Sequence, residues 1–139
     1  MKENNILIGC EAFIKKENRI LFGLRKNCFG DGTWGLPGGH LEFREKVVNG
    51  LKRELVEEIG IEFEDTDFKL ATVTDGIDSG GVKHYVHISF EVEYRDQEIR
   101  LMEPERCSEW KFFDLNNLPA NIFPAHIKII RKYVDNIIY

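Results

Sequence analysis

Three glutamates, Glu54, Glu57 and Glu58, stand at i, i+3 and i+4 in the stretch RELVEEIGI that runs from Arg53 to Ile61. On a helix this spacing puts their carboxylates on one side, a turn apart. Clustered carboxylates repel unless a cation sits among them, and hard oxygen ligands suit Mg²⁺ or Mn²⁺. Mg²⁺ in particular is held by one or two carboxylates together with substrate phosphates. A carboxylate facing a metal-bound water can also take its proton, so one of the three could act as general base instead of ligand. A bare E-x-x-E-E is more often a solvated acidic helix face, and the flanking residues decide between the two.

The element that must carry them is legible in the apolar positions. At about 100° per residue, Val47, Val48, Leu51, Leu55 and Ile59 gather into one arc, with the glutamates along its shoulder. Gly60 is a natural stop. Gly50 falls on the side of Glu54 and Glu57; a mid-helix glycine costs about 1 kcal/mol against alanine, so it is read as making room for a close neighbour. Ahead of the helix, Gly39 is followed after five residues by Glu45, and seven more lead to Arg53-Glu54-Leu55. One residue then precedes Glu57-Glu58, and one more precedes Gly60-Ile61.

This order resembles the signature of the Nudix hydrolases, of the MutT-like kind, at every fixed position from residue 39 to 61. The resemblance implies hydrolysis of a phosphoric anhydride, a divalent metal (Mg²⁺, with Mn²⁺ as a substitute), and a mixed central sheet between helices in an α/β/α sandwich. It ranks Glu54 and Glu58 above Glu57 as metal ligands, with a backbone carbonyl near Gly38 and Gly39 completing the shell. Arg53 could pair with Glu57, and Glu45 could orient Arg53 from across the loop; both are expected to support the site without touching substrate. Arg25, at a strand end, is a candidate phosphate clamp, because a guanidinium offers a bidentate fork. Trp34 and Phe123 are candidate walls of a base pocket, with packing in the core as the competing role. Glu103 and Glu105 are candidates for an extra ligand or base, exposed loop acids otherwise. His40 is read as structural, and His84, His87 and His126, lacking metal spacing, receive no role.

Two segments, Leu36 to Phe43 and Glu103 to Trp110, are similar to those of the Nudix nucleoside-triphosphate diphosphatases that act on purine nucleotides. Arg44 stands where those carry glycine, and Trp34-Gly35 replaces Phe-Gln. The resemblance thus implies cleavage of a nucleoside triphosphate, in the first place a deoxynucleotide, to monophosphate and pyrophosphate, leaving the base open. The rival substrates are nucleoside diphosphates linked to another group, such as a nucleotide sugar, ADP-ribose or a capped RNA end. ADP-ribose enzymes of the family commonly carry a proline beyond the signature, whereas none occurs here between Pro37 and Pro104. A non-catalytic ligand-sensing domain is the rival from another class; the intact signature opposes it. A homodimer is a family expectation.

The 139 residues suit one domain, 1–139, with a proper core. Apolar residues make up 42% and charged residues 31%, an ordinary globular balance. The net charge of −5 argues against broad nucleic-acid or anionic-membrane binding, and requires a cation wherever a phosphate-rich substrate is to approach. The N-terminus lacks a signal-peptide layout and no run is long enough to span a membrane, so cytoplasm is the default expectation. Cys10, Cys28 and Cys107 are odd in number and far apart, which favours free thiols.

Along the chain, Asn5 to Ile14 and Arg19 to Arg25 read as strands of a hairpin, Asn27 to Thr33 as a loop, and Trp34 to Gly39 as a short extended piece. Phe68 to Thr74, Lys83 to Glu93 and Ser108 to Phe113 read as strands. Asp75 to Gly81 reads as a flexible turn, and Tyr94 to Pro104 as partly loop. A second helix is expected over Phe123 to Tyr139, with Ile127, Ile130, Tyr133, Val134 and Ile137 at helical spacing. Strands mixed with two separated helices indicate an α/β layered domain.

Overall fold

Eleven residues, with Gly9 to Ile14 buried in an unbroken run, make the central strand, β1 (Ile6–Lys16). Its Cys10, Ala12 and Ile14 pack with Leu51, Leu55 and Ile59 of helix α1 (Val47–Ile59), while Phe13 joins Ile20 and Phe22 of β2 (Arg19–Arg25) and Ile129 and Ile130 of helix α2 (Pro124–Val134). Because strand side chains alternate in direction, the two clusters lie on opposite faces, one helix over each. The computed structural model describes residues 4–78 and 80–139. The remaining strands are β3 (Trp34–Gly35), β4 (Gly38–His40), β5 (Phe68–Ile77), β6 (His84–Glu93) and β7 (Cys107–Asp114). They form a mixed sheet in the order β3-β2-β1-β6-β5, with β4 added to β1 and β7 to β2.

β1 runs parallel to β6 from Ile6↔His84 to Lys15↔Glu93, which buries it on both faces as parallel pairing usually does. The expected hairpin with β2 is present only at its tip, Lys15↔Ile20 and Lys16↔Arg19. Beyond it the strands diverge, since β1 takes β4 at Gly9, Cys10 and Glu11 while β2 takes β7 and β3. A cleft of about 950 Å³ opens at this divergence, lined from both strands by Gly9, Glu11, Gly23 and Arg25.

Three expectations need correction. The turn expected over Asp75 to Gly81 begins later, because Asp75, Gly76 and Ile77 pair with Val86, Tyr85 and His84 and so lengthen β5. A waiting partner strand overrides the local turn preference of Asp-Gly; Ser79 of that stretch lies outside the described residues. The second helix does not reach Tyr139. It ends at Val134, where Asn136 takes φ 55°, its N–H bonds to Tyr133 O at 3.2 Å, and Ile137 N–H bonds to Lys132 O at 2.9 Å. That is a Schellman ending with asparagine supplying the left-handed residue. Its buried stripe is also rotated: His126, Ile129 and Ile130 face inward, whereas Ile127 and Val134 are exposed.

Candidate active site

Helix α1 supplies the acidic cluster against local preference. Its last turn holds no basic residue, although Glu57 and Glu58 lie near the negative end of the helix dipole, each unfavourable by roughly 0.3–1 kcal/mol. The carboxylates therefore serve something other than the helix. Gly60 at φ 71° ends it, donating its N–H to Val56 O.

Each glutamate has its own surroundings. Glu58 is turned inward, and its Oε1 accepts the Gly38 N–H at 2.8 Å. Burial pushes its carboxyl well above the ordinary carboxylate range; Glu54 and Glu103 add to the push, while the Gly38 bond and Arg25 oppose it. Glu54 is raised too, by burial first, against the pull of Arg53. Glu57 is half exposed and lies 3.7 Å from Arg53 Nη1. Gly39 is packed against the Glu54 carboxylate so closely that a Cβ there would collide with it.

Arg53 ties this cluster to the loop before the helix. Its Nε donates to Glu45 Oε2 at 2.9 Å and its Nη2 to Glu45 Oε1 at 3.0 Å, a bidentate fork. Nη1 reaches Glu54 Oε1 at 2.9 Å, and Nη2 also reaches the His40 carbonyl at 3.0 Å. The fork holds the Glu45 carboxyl down at about 2, helped by a backbone bond. Arg53 thus meets Glu45 and Glu54 more closely than the Glu57 partner expected from helical spacing. Gly50 makes room for Glu45 Oε1 and Leu41 Cδ1, each 2.8 Å from where its Cβ would stand.

The residues fit a divalent cation. Glu54 and Glu103 push Glu58 up, and Glu57 and Glu103 push Glu54 up, at the cleft wall, and raised carboxyls gathered in one place are what a cation would relieve. Among the described residues no three acidic, histidine or cysteine side chains already converge on one point. Glu54 is instead turned to Arg53, Glu58 to Gly38 and Glu57 outward, so that each like charge finds its own partner.

Across the cleft, the Arg25 guanidinium lies 4.0 Å from the centroid of the Phe123 ring and its Nε donates to the Phe29 carbonyl at 3.0 Å. Phe123 is buried and lines the cleft with Arg25, Gly38, Gly39, Glu54, Glu57 and Glu58. Trp34 is the exception among the residues expected to meet substrate. It packs edge-on against Phe113, 4.8 Å between centroids, and does not line the cleft; its pairing beside Gly23 and Leu24 in β3 directs it into the core. Glu105 is exposed and likewise off the lining, whereas Glu103 is on it. Burial holds the Cys10 and Cys107 thiols up at about 12 and about 11, which leaves no thiolate nucleophile at either position.

The part of the cleft with no counterpart in the sequence reading is a buried cluster of Glu11, His87 and His126. His87 Nδ1 is hydrogen-bonded to Glu11 Oε1, and His126 Nε2 lies 4.0 Å from the same oxygen. Leu36 donates its N–H to His126 Nδ1 at 3.0 Å, which leaves the ring proton on Nε2. Burial pushes His126 down to about 3 and pushes Glu11 up, against the pull of His87. One signal was available: Glu11 is the lone acid inside the apolar run ILIGCEAFI.

Comparison with known proteins agrees with this geometry. The NUDIX domain model matches residues 9–133. The ADP-ribose pyrophosphatase of Methanocaldococcus jannaschii is 34% identical over 127 residues, covering 91% of this chain and 72% of that protein. The 8-oxo-dGTP diphosphatase of Buchnera aphidicola is 39% identical over 61 residues, 44% of this chain and 45% of that one. A MutT NUDIX hydrolase from Burkholderia pseudomallei superimposes with a TM-score of 0.84 at 34% identity, covering 94% of this chain and 99% of the other. Enzymes of this kind generally use divalent metal ions. The chain belongs to the Nudix family and is a hydrolase of phosphoric anhydrides.

Proposed function

We propose that the enzyme hydrolyses a nucleoside triphosphate, in the first place a deoxynucleotide, to the monophosphate and pyrophosphate with Mg²⁺, Mn²⁺ serving as a substitute. The observation that carries this is the Gly38–Gly39 segment of β4 laid against Glu54 and Glu58 at the wall of a cleft whose other side holds Arg25. Glu54, Glu58 and the Gly39 carbonyl would hold the cation, which leaves Glu57 as the one of the three not needed as a ligand. A divalent ion there withdraws charge from phosphate oxygens and acidifies bound water.

The chain's own groups do the rest. Glu57, half exposed and the least constrained of the three, can take the proton of the attacking water. Water oxygen bonds to phosphorus, the anhydride P–O bond breaks, and pyrophosphate departs with the electron pair; no covalent enzyme intermediate forms. Glu45 and Arg53 keep Glu54 in place. Arg25 meets phosphate oxygens, and Gly38 fixes Glu58 through its N–H. Residues 1–139 act in this reading as one Nudix domain, a cytoplasmic homodimer taking small nucleotides and neither nucleic acid nor membrane.

ADP-ribose is the second reading, favoured by the 34% identity to the archaeal ADP-ribose pyrophosphatase and opposed by the missing proline between Pro37 and Pro104. Both break an anhydride at the same cluster. The test is a product analysis with Mg²⁺ over ribo- and deoxynucleoside triphosphates, nucleotide sugars and ADP-ribose. Pyrophosphate release from a triphosphate at kcat/KM above about 10⁴ M⁻¹s⁻¹ supports the first reading. AMP from ADP-ribose at that efficiency, with triphosphates slow, replaces it by the second.

A further inference from the structure

β5 is the outermost strand of the sheet and is paired with β6 along one side only. Its outer side is held where helix α2 and the residues after it meet it. Val73 donates its N–H to the Ile138 carbonyl at 2.7 Å, and its own carbonyl accepts a bond from Lys132 Nζ. The Tyr139 hydroxyl donates to Asp75 Oδ2 at 2.8 Å, and Lys132 Nζ lies 5.2 Å from the centroid of the Tyr139 ring. Lys132 thus joins the two, as a donor to the strand and as a cation over the ring. Together these contacts form a strap across the strand.

An edge strand needs cover against pairing with another chain, but cover of that kind could lie anywhere along the ten residues of β5. The strap lies at Val73 and Asp75, directly before Gly76, Ile77 and Asp78, which line the cleft. From there the position of the strand is passed on. Gly76 is so close to His87 that a Cβ would meet its ring Cδ2 at 2.8 Å, so the strand must lie flat on that ring. Asp78 Oδ1 accepts the N–H groups of Val82 and Lys83 at 2.9 and 3.2 Å, which ties Lys83 to the end of β5. Lys83 Nζ stands 5.3 Å from the centroid of the Phe29 ring on the facing loop, and both residues line the cleft. The acidic cluster stands on α1 and β4, outside this line of contacts.

We infer that Lys132 and Tyr139, with the Ile138 carbonyl, are positioning residues for substrate: their strap fixes the end of β5 and through it the cleft wall at Gly76, Ile77, Asp78 and Lys83. Neither Lys132 nor Tyr139 lines the cleft, so their effect passes through β5. Segments held by few contacts open locally before the fold as a whole does. Weakening the strap therefore frees this wall while the core and the glutamates stay in place.

Lys132→Met, which keeps the aliphatic stem, and Tyr139→Phe test it in the full chain, singly and together, with thermal melting as the check on the fold. In hydrogen exchange, the amides of Asp75 to Ile77 should exchange faster in the double variant while those of α1 keep wild-type protection. KM should rise about three- to tenfold, the scale of one or two net hydrogen bonds. Unchanged kcat and Mn²⁺ affinity should accompany it, the pattern of a loss in binding alone. Lys132→Arg keeps a donor for the Val73 carbonyl and a cation over the Tyr139 ring, and should retain the wild-type KM. Wild-type exchange at Asp75 to Ile77, or wild-type KM in the double variant, overturns the inference. So does a fall of kcat and Mn²⁺ affinity in step with the KM change, which marks a loss spread over the whole fold. KM is read on whichever triphosphate or ADP-ribose is cleaved, and the exchange rates need no substrate. Failure of the triphosphate reading therefore leaves this test standing, and failure of the strap leaves that reading untouched.

Discussion

The tightest group of contacts at the acidic cluster is the fork between Arg53 and Glu45, at 2.9 and 3.0 Å, with the same guanidinium reaching Glu54. Neither Arg53 nor Glu45 lines the cleft, so their effect passes through Glu54. Glu45→Gln keeps the shape and loses one charge-assisted bond, and should lower kcat by about 10–100-fold, the usual cost of a lost supporting contact at a metal site. Arg53→Lys should do no better, because an ammonium cannot form the fork. Saturation kinetics check both. Unchanged kcat in Glu45→Gln would remove the positioning role.

At the scale of elements, Gly50 shows a helix giving way to the site. Alanine in mid-helix ordinarily adds about 1 kcal/mol over glycine. Here the new methyl would meet Glu45 Oε1 and Leu41 Cδ1 at 2.8 Å, both ends of flexible side chains that can move aside. Gly50→Ala should therefore leave the melting temperature near wild type while reducing kcat about as much as Glu45→Gln, within roughly 10–100-fold. A variant both more stable and fully active would contradict the crowding. Much of this element was legible beforehand. The apolar arc, the stop at Gly60 and the room needed at Gly50 all follow from local spacing. What local spacing misses is pairing at long range. β5 continues through Asp75-Gly76 because β6 offers it a partner. The second helix ends early at Asn136, and its inward stripe is set by where the sheet lies, not by the isoleucines alone. The grouping of Glu11 with His87 and His126 stayed invisible for the same reason. They sit on a central strand, its parallel neighbour and the last helix, and no periodicity connects positions 11, 87 and 126.

For the molecule as a whole, that buried cluster should mark the dependence of stability on pH. His126 titrates at about 3 in the folded state, against 6.5 for an ordinary imidazole, because burial disfavours the cation. Between those values the unfolded chain binds the extra proton, so folding stability from this group is present above 6.5 and is lost as pH falls toward 3. His126→Asn keeps an acceptor for the Leu36 N–H and removes the titration. The stability gap between wild type and variant should accordingly shrink from pH 7 to pH 4 in denaturant melts, and a constant gap would mean that His126 is charged or solvated in the native state. Glu11 works in the opposite direction, its raised carboxyl costing stability as pH climbs above its ordinary value; because it lies 4.0 Å from His126, the comparison is made with Glu11→Gln in both proteins.

The central claim is that the glutamates of the first helix hold the cation that the anhydride chemistry uses. Calorimetric titration of Mn²⁺ into the wild type, Glu54→Gln and Glu58→Gln tests it most directly, with no substrate present. The wild type should bind Mn²⁺ at a defined stoichiometry. Each variant should bind at least about tenfold more weakly, a loss of about 1.4 kcal/mol or more, while retaining its circular dichroism. Equal Mn²⁺ affinity in all three proteins would contradict the claim and move the metal, and the reaction with it, away from Glu54 and Glu58.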